Sequence, residues 1–426
     1  MKRVGAVSLP FDDVDEPHGG SFEGLLAQFA GEGARTVVQA LTVSTGPAGS
    51  VTVPLYTNEF WTARQRAAHS LHEVSYRACF KPQLPRFFIE RLTAPGDVVY
   101  DPFMGRGTTL VEAALLGRQA YGCDVNPLSR VLCEPRLAPP EISGVREALA
   151  GVDFTDAGDL PDDLLVFYHP ETLRQICALR KYLLTRERLG VLTAADRWIR
   201  MVAVNRLTGH STGFFSVYTL PPNQAVSARS QAKINARRGQ KPEPRDVAGI
   251  ILRKSRALLG DLTQRAQEAL AHIAPGHRIV TGPSSKTSLP DASVTLAVTS
   301  PPFLDVVDYK SDNWLRCWFS GIEAVSVPVT MARRIDAWQA FVTDTLCDVR
   351  RLLKPGGHVA FEVGEVRGGA VRLEEAVIPA GMAAGLEPLL VVINAQQFTK
   401  TANCWGVANN RKGTNSNRIV LFRKVL

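Results

Sequence analysis

The sequence predicts an α/β fold: a mostly parallel sheet covered by helices on both faces, ended by a C-terminal antiparallel hairpin and interrupted by a large helical, basic insertion. Three observations predict it. Two short apolar runs, 98–101 and 119–124, each end on an acidic residue, with a glycine-containing turn and a helical pattern between them. From residue 278 onward apolar runs again alternate with helical periodicity, the pattern of strands joined by crossover helices. The intervening stretch 141–277 is helical and turn-rich, and it carries most of the positive charge.

The chain has 426 residues, room for two or three domains or for one large domain with an insertion. Hydrophobic residues make up 45% and charged residues 21%, the balance of a globular enzyme and not of a disordered chain. No stretch reaches the roughly 18 apolar residues that cross a bilayer. Acidic residues from Asp12 onward come too early for a signal peptide, so a cytoplasmic location is expected. The seven cysteines are scattered, without a C-x-x-C pair, which points to buried thiols and away from disulfides or zinc. His69 and His72 are three apart, yet no acidic or cysteine partner pattern accompanies them, so packing is expected and a metal is not.

In order along the chain, residues 1–60 are rich in Gly, Ala and short polar residues and are expected to form a partly ordered extension. Residues 61–140 form the first half of the catalytic domain. Within them 61–92 is helical, broken at Lys81-Pro82 and Leu84-Pro85. The unit 97–127 then reads strand, turn, helix, strand, with Thr109 to Glu112 as a capping box and Gly117 at the helix exit. Residues 141–277 form the insertion, with helices expected over 171–184 and 247–272. Residues 278–426 are the second catalytic half, with strands at 278–281, 294–299, 358–363, 389–394 and 418–424, and a helix over 341–353. The last two strands are joined by a polar loop too irregular for a packed helix, hence the hairpin.

In a doubly wound sheet ligands sit at the carboxyl ends of the strands. Phe103 to Thr108 lies at such an end, and Gly105 and Gly107 allow the backbone close to a ligand. Asp124 follows Asp101 at the spacing where an acid accepts from ribose hydroxyls. A lone G-x-G also serves simple packing; the longer string D-P-F-x-G-x-G-T-T is far more restrictive.

That string resembles the cofactor motif of the amino-group DNA methyltransferases, which bind S-adenosylmethionine. The approach ACFKPQLPRFFIERLTAPGDVVYDPFMGRGTT is similar to the segment before this motif in cytosine-N4 methyltransferases of restriction–modification systems. The resemblance implies a Rossmann-like methyltransferase sheet. It sets Phe80, Lys81 and Pro82 at the methionine end of the cofactor, and Asp101, Phe103, Gly105 and Gly107 around the methionyl part, with Pro102 and Thr108 in the same string. It sets Asp124 on the ribose and Asn126-Pro127 beside the adenine. Where the family often shows an acid at the third strand, this chain has Thr281-Gly282-Pro283-Ser284, leaving the Ser284 hydroxyl for that place.

A second string, Ser300-Pro301-Pro302-Phe303, ends another apolar run. The amino nitrogen of cytosine or adenine is a poor nucleophile, because its lone pair is delocalised into the ring. Acceptors that hold its protons favour a more pyramidal nitrogen as charge develops. Ser300 offers a hydroxyl oxygen and Pro301 a carbonyl stiffened by the adjacent rings. Phe303 offers a face on which a flipped base stacks. No metal is required. Alone, Ser-Pro-Pro is a turn that ends a strand; beside the first motif it reads as catalytic. In the resembled family S-P-P-Y/F is typical of cytosine-N4 enzymes, whereas D-P-P-Y or N-P-P-Y is typical of adenine-N6 enzymes. Asp305, Asp308 and Tyr309 follow closely and receive no catalytic role. Leu353 to Gly357 reads as a helix-to-strand turn.

The cofactor motif precedes the catalytic one, the reverse of the order common among the resembled cytosine-N4 enzymes, so the chain looks circularly permuted within the wider family. Residues 171–260 hold seventeen Lys or Arg against five Asp or Glu, a polyanion-binding balance or a solvated helical face. Arg229, Lys233, Arg237, Arg238 and Lys241 are the expected phosphate-facing residues, and the loop 399–417, with Lys400, Trp405, Arg411 and Lys412, is a further one to reach substrate. Double-stranded DNA is the expected partner, together with a restriction endonuclease acting on the same site. The rival readings are adenine-N6 methylation of DNA, guanine-N2 methylation of RNA, and a non-catalytic cofactor sensor that binds DNA.

Overall fold

Val98–Asp101 and Val294–Thr299 are buried along almost their whole length, as strands must be when both faces of a sheet are covered. They pair in parallel inside a nine-stranded sheet. In chain order its strands are β1 Val37–Ser44, β2 Ser50–Asn58, β3 Val98–Asp101, β4 Gln119–Asp124, β5 Arg278–Thr281, β6 Val294–Thr299, β7 Leu353–Val363, β8 Glu387–Ala395 and β9 Ser416–Arg423. The spatial order is β1-β2-β8-β9-β7-β6-β3-β4-β5. Strands β7 through β5 in that order run parallel, β9 runs antiparallel between β7 and β8, and β2 joins β8 in parallel. From β3 the chain winds outward through β4 to β5, then crosses back to β6. The carboxyl ends of β3 and β6 therefore flank the switch point at which such sheets bind ligands. This computed structural model describes residues 21–31, 34–46, 49–62, 68–76, 79–219, 225–302, 309–327, 334–366, 371–395 and 416–425.

The helices are α1 Phe22–Gln28, α2 Gln83–Leu92, α3 Thr108–Leu115, α4 Pro127–Leu137, α5 Ile142–Ala150, α6 Pro170–Arg188, α7 Ala194–Val204, α8 Ala228–Arg238, α9 Val247–Leu258, α10 Gln264–Ile273, α11 Tyr309–Phe319, α12 Ile335–Leu352 and α13 Glu374–Ala383. Alternation along the strands sorts side chains onto two faces. Val99, Leu296, Val298 and Ala360 join one apolar cluster, while Val98, Tyr100, Ala297 and Phe361 join the other. The second face is covered by α12 and α13, through Trp338, Leu346 and Val377. The first is covered by α2 to α4 and by the insertion: Trp198 and Val202 of α7 and Ile250 of α9 belong to the same cluster as Leu110 of α3. The segment 141–277 thus shares its core with the sheet.

Several local expectations change. Residues 37–58, read as part of an extension, form the β1–β2 hairpin at the sheet edge, and Val53 and Leu55 bury against the far face. Their partner β8 lies more than three hundred residues away in the chain, outside the reach of local periodicity. The helix read over 247–272 is two helices, because Thr263 caps the second by accepting from the Ala266 amide. The capping box at Thr109 and Glu112 does not form. Thr109 bonds the Val298 carbonyl at 3.1 Å, and the buried Glu112 meets His72 at 2.7 Å and Arg86 at 2.9 Å. His72 is therefore a packed histidine, and burial pushes it down to about 4.

Candidate active site

A cavity of about 380 Å³ opens at the switch point, within the size range of small-molecule sites. The loop after β3 shapes its floor. Gly105 and Gly107 both take positive φ, 48° and 77°, and for different reasons. The Gly105 amide donates to Asp124 Oδ2 at 2.9 Å, tying the turn to the tip of β4. Gly107 caps α3 in the left-handed region, where a Cβ would stand 2.3 Å from Cys133 Sγ. Gly107 thus serves helix packing, and only Gly105 of the pair lines the cavity.

Carboxylates sit beneath this floor. Asp101 is 2% exposed and accepts from the Thr299 hydroxyl at 2.6 Å and the Phe103 amide at 3.0 Å. Burial pushes it up to about 7, against the pull of those bonds. Asp124 is raised by burial while the Asn126 and Gly105 amides hold it down. The backbone amides fix both Asp124 oxygens in place, and each keeps a further lone pair for a ligand hydroxyl.

The remaining expected cofactor residues divide. Phe80, Pro102, Phe103, Thr108, Asn126 and Ser284 line the cavity. Lys81, Pro82 and Pro127 lie outside its lining: Pro82 caps α2, and Pro127 opens α4. The Ser284 hydroxyl is engaged with Thr345 at 2.9 Å, so the exposed Ser285 is the freer hydroxyl on that wall. Gly282 also lines it, and a Cβ there would meet no protein atom within 4 Å. That glycine keeps space open. Phe341 of α12 packs on Phe103 with ring centroids 5.6 Å apart; it has no sequence motif and joins the site through packing alone.

Ser300, Pro301 and Pro302 line the opposite wall of the same cavity. Thr299 pairs with Phe361, which brings Ser300 beside Glu362 on β7. The Ser300 hydroxyl and the Asn417 amide both bond this buried carboxyl, and burial raises it above the ordinary range. The Pro302 carbonyl accepts from the Trp338 indole at 2.9 Å, anchoring the Pro-Pro turn to α12. Phe303, Asp305 and Asp308 lie outside the described residues, as does most of the loop 399–417, including Lys400, Trp405, Arg411 and Lys412.

The basic insertion presents Arg229, Lys233 and Arg237 at four-residue spacing on α8, all exposed, which places them on one helical face. Exposed Lys241 follows. Arg238 stacks its guanidinium 3.8 Å from the Tyr218 ring centroid.

Residues 49–129, from β2 into the first turn of α4, match the DNA methylase family of N6 and N4 methyltransferases. Over this segment the chain is similar to DNA methylases of that family. A type II methyltransferase of Methanocaldococcus jannaschii is 35% identical over 86 residues, 20% of this chain and 16% of that protein. A type II methyltransferase of Kocuria varians is 32% identical over 111 residues, 25% of this chain and 23% of its own length. A tRNA (guanine(10)-N2)-dimethyltransferase of Methanocaldococcus jannaschii is 35% identical over 63 residues, 15% of this chain and 18% of that protein. The chain thus spans less than a quarter of the length of each of these relatives. The methylase segment holds the loop of Gly105 and the acids Asp101 and Asp124, while Ser300 to Phe303 lie beyond it.

Proposed function

We propose that the chain transfers a methyl group from S-adenosylmethionine to the exocyclic N4 amino group of a flipped-out cytosine in duplex DNA. One observation carries the reading: Ser300 and Pro301 face the cavity that Asp124 and Gly105 also line. The residues fit the cofactor, since Asp124 presents fixed oxygens for a ribose, Gly282 leaves room and Phe80 and Phe103 supply apolar walls.

When bound, S-adenosylmethionine supplies a methyl group activated by its sulfonium. The chain's own residues orient the amino group and take up its charge. Ser300 gives its hydroxyl hydrogen to Glu362, so its oxygen lone pairs face the cavity as acceptors for a substrate N–H. The amino nitrogen would gain positive charge as it takes up the methyl group that bound S-adenosylmethionine would supply. It sheds one proton toward Ser300, whose own proton moves to Glu362. Acceptors already in place when charge grows stabilise the transition state over the ground state. The dry setting that raises Asp101 and Glu362 strengthens these contacts.

The insertion 141–277 is the target-reading part in this proposal, with Arg229, Lys233, Arg237, Arg238 and Lys241 holding phosphates, and a restriction endonuclease of the same site is the companion activity. The Ser-Pro-Pro-Phe string favours cytosine N4 over adenine N6. The tRNA methyltransferase relative supports a second reading, guanine N2 of RNA. The test supplies isotope-labelled S-adenosylmethionine with unmethylated duplex DNA and, separately, structured RNA, followed by nucleoside mass spectrometry. Label in N4-methylcytosine is the expected result. Label in N6-methyladenine, or in RNA alone, refutes the cytosine or the DNA assignment respectively.

A further inference from the structure

Strands β3 and β6 run side by side toward the cavity, but the backbone ladder between them stops short of it. Tyr100 is level with Ala297 at its last rung, and beyond each strand the chain turns into a different wall. Phe103 and Gly105 follow β3 on the cofactor side, and Ser300 and Pro301 follow β6 on the opposite side. The spacing of those walls is therefore set by whatever holds the two strand tips.

Two fully buried threonines hold them. Thr109, in the first turn of α3, donates to the Val298 carbonyl at 3.1 Å. Thr299, the last residue of β6, donates to Asp101 Oδ1 at 2.6 Å, and the same oxygen accepts from the Phe103 amide at 3.0 Å. One carboxyl oxygen thus joins the start of the cofactor turn to the residue before Ser300. Asp101 is itself buried, a setting that strengthens such bonds. A hydroxyl in a dry position costs free energy unless it is bonded, and valine would bring the same branched shape to this apolar strand. Thr299 does not line the cavity, so its hydroxyl serves the tie between strands and not a ligand.

We propose that Thr299 is a positioning residue for methyl transfer, and that its bond to the shared Asp101 oxygen fixes the Ser300 hydroxyl against the cofactor turn. The inference rests on the methyltransferase reading above. Transfer needs the reacting atoms aligned at about 3–3.5 Å, and a displacement of about 1 Å costs on the order of a hundredfold in rate. The acceptor that orients the amino group and the turn that would hold the methyl donor come from separate strands. Asp101 and Thr299 make their relative position a property of the fold before any ligand binds.

The test follows isotope-labelled methyl transfer by the full chain to unmethylated duplex DNA at saturating cofactor, with S-adenosylmethionine binding measured by calorimetry. Thr299→Val is expected to lower turnover by about tenfold to a hundredfold, with the cofactor dissociation constant nearly unchanged. Thr299→Ser keeps the hydroxyl and returns turnover to near wild type. In a Ser300→Ala background Thr299→Val has little further effect, because a contribution made through the Ser300 hydroxyl is already gone. A threonine that only supports the fold would lower turnover by the same factor in both backgrounds, and that result overturns the inference. So do wild-type turnover in Thr299→Val, loss of turnover in Thr299→Ser, and a cofactor affinity that falls together with turnover. The two readings fail separately. A wild type that transfers no label refutes the methyltransferase reading and the inference with it, whereas a wild type that transfers while Thr299→Val matches it refutes the inference alone.

Discussion

The Ser300 hydroxyl hydrogen-bonds the buried carboxyl of Glu362, its neighbour on the adjacent strand. A serine held this way has its proton committed and its lone pairs free. Ser300→Ala should lower turnover by about 10²–10³, the usual effect of losing one group aimed at developing charge, with cofactor affinity within twofold of wild type. Near-normal turnover would show that the acceptor lies elsewhere.

Glu362→Gln keeps the volume and removes the proton sink. Because burial raises Glu362, wild-type turnover should fall on acidification at a pH above the ordinary carboxylate range. The variant should be slower and should lack that limb. A variant profile that keeps the acidic limb assigns it to another group.

Asp124 accepts from two backbone amides and faces the cavity. Asp124→Ala should weaken S-adenosylmethionine by tenfold to a hundredfold, about 1.5–3 kcal/mol for a charged hydrogen bond. Calorimetry reads this directly, and an unchanged dissociation constant would remove Asp124 from the ribose.

Two glycines should separate stability from binding. Gly107→Ala places a Cβ against Cys133 in left-handed backbone and should destabilise the fold by about 1–3 kcal/mol from overpacking, with added backbone strain. Gly282→Leu enters open space and should cut cofactor affinity while leaving the melting temperature near wild type. Thermal unfolding with and without cofactor distinguishes the two.

Asp101 holds a proton up to about 7 in the folded chain and loses it near 3.9 when unfolded. Between those values the folded state binds the extra proton, so rising pH lowers stability. His72, pushed down to about 4, has the opposite sign over an overlapping window. Asp101→Asn removes only the first contribution. The stability of wild type minus that of the variant should fall as pH rises from about 4 to 7, by at most about 1.4 kcal/mol per pH unit. Denaturant titrations across that window check it, and a flat difference means Asp101 is ionised throughout.

Some of this protein was written in its local sequence. The apolar runs that end on Asp101 and Asp124, the turn of Gly105 and the Ser-Pro-Pro end of β6 depend on strand alternation and turn chemistry. These act over a few residues and show in spacing. The tertiary structure alone decided the rest. It set Glu362 beside Ser300 through the register of β6 on β7, brought Phe341 onto Phe103, and placed β2 on β8 from opposite ends of the chain. It also merged the insertion into the core of the sheet. Each of these depends on which distant surfaces bury one another, and burial pairs residues by position in space, whatever their separation along the chain.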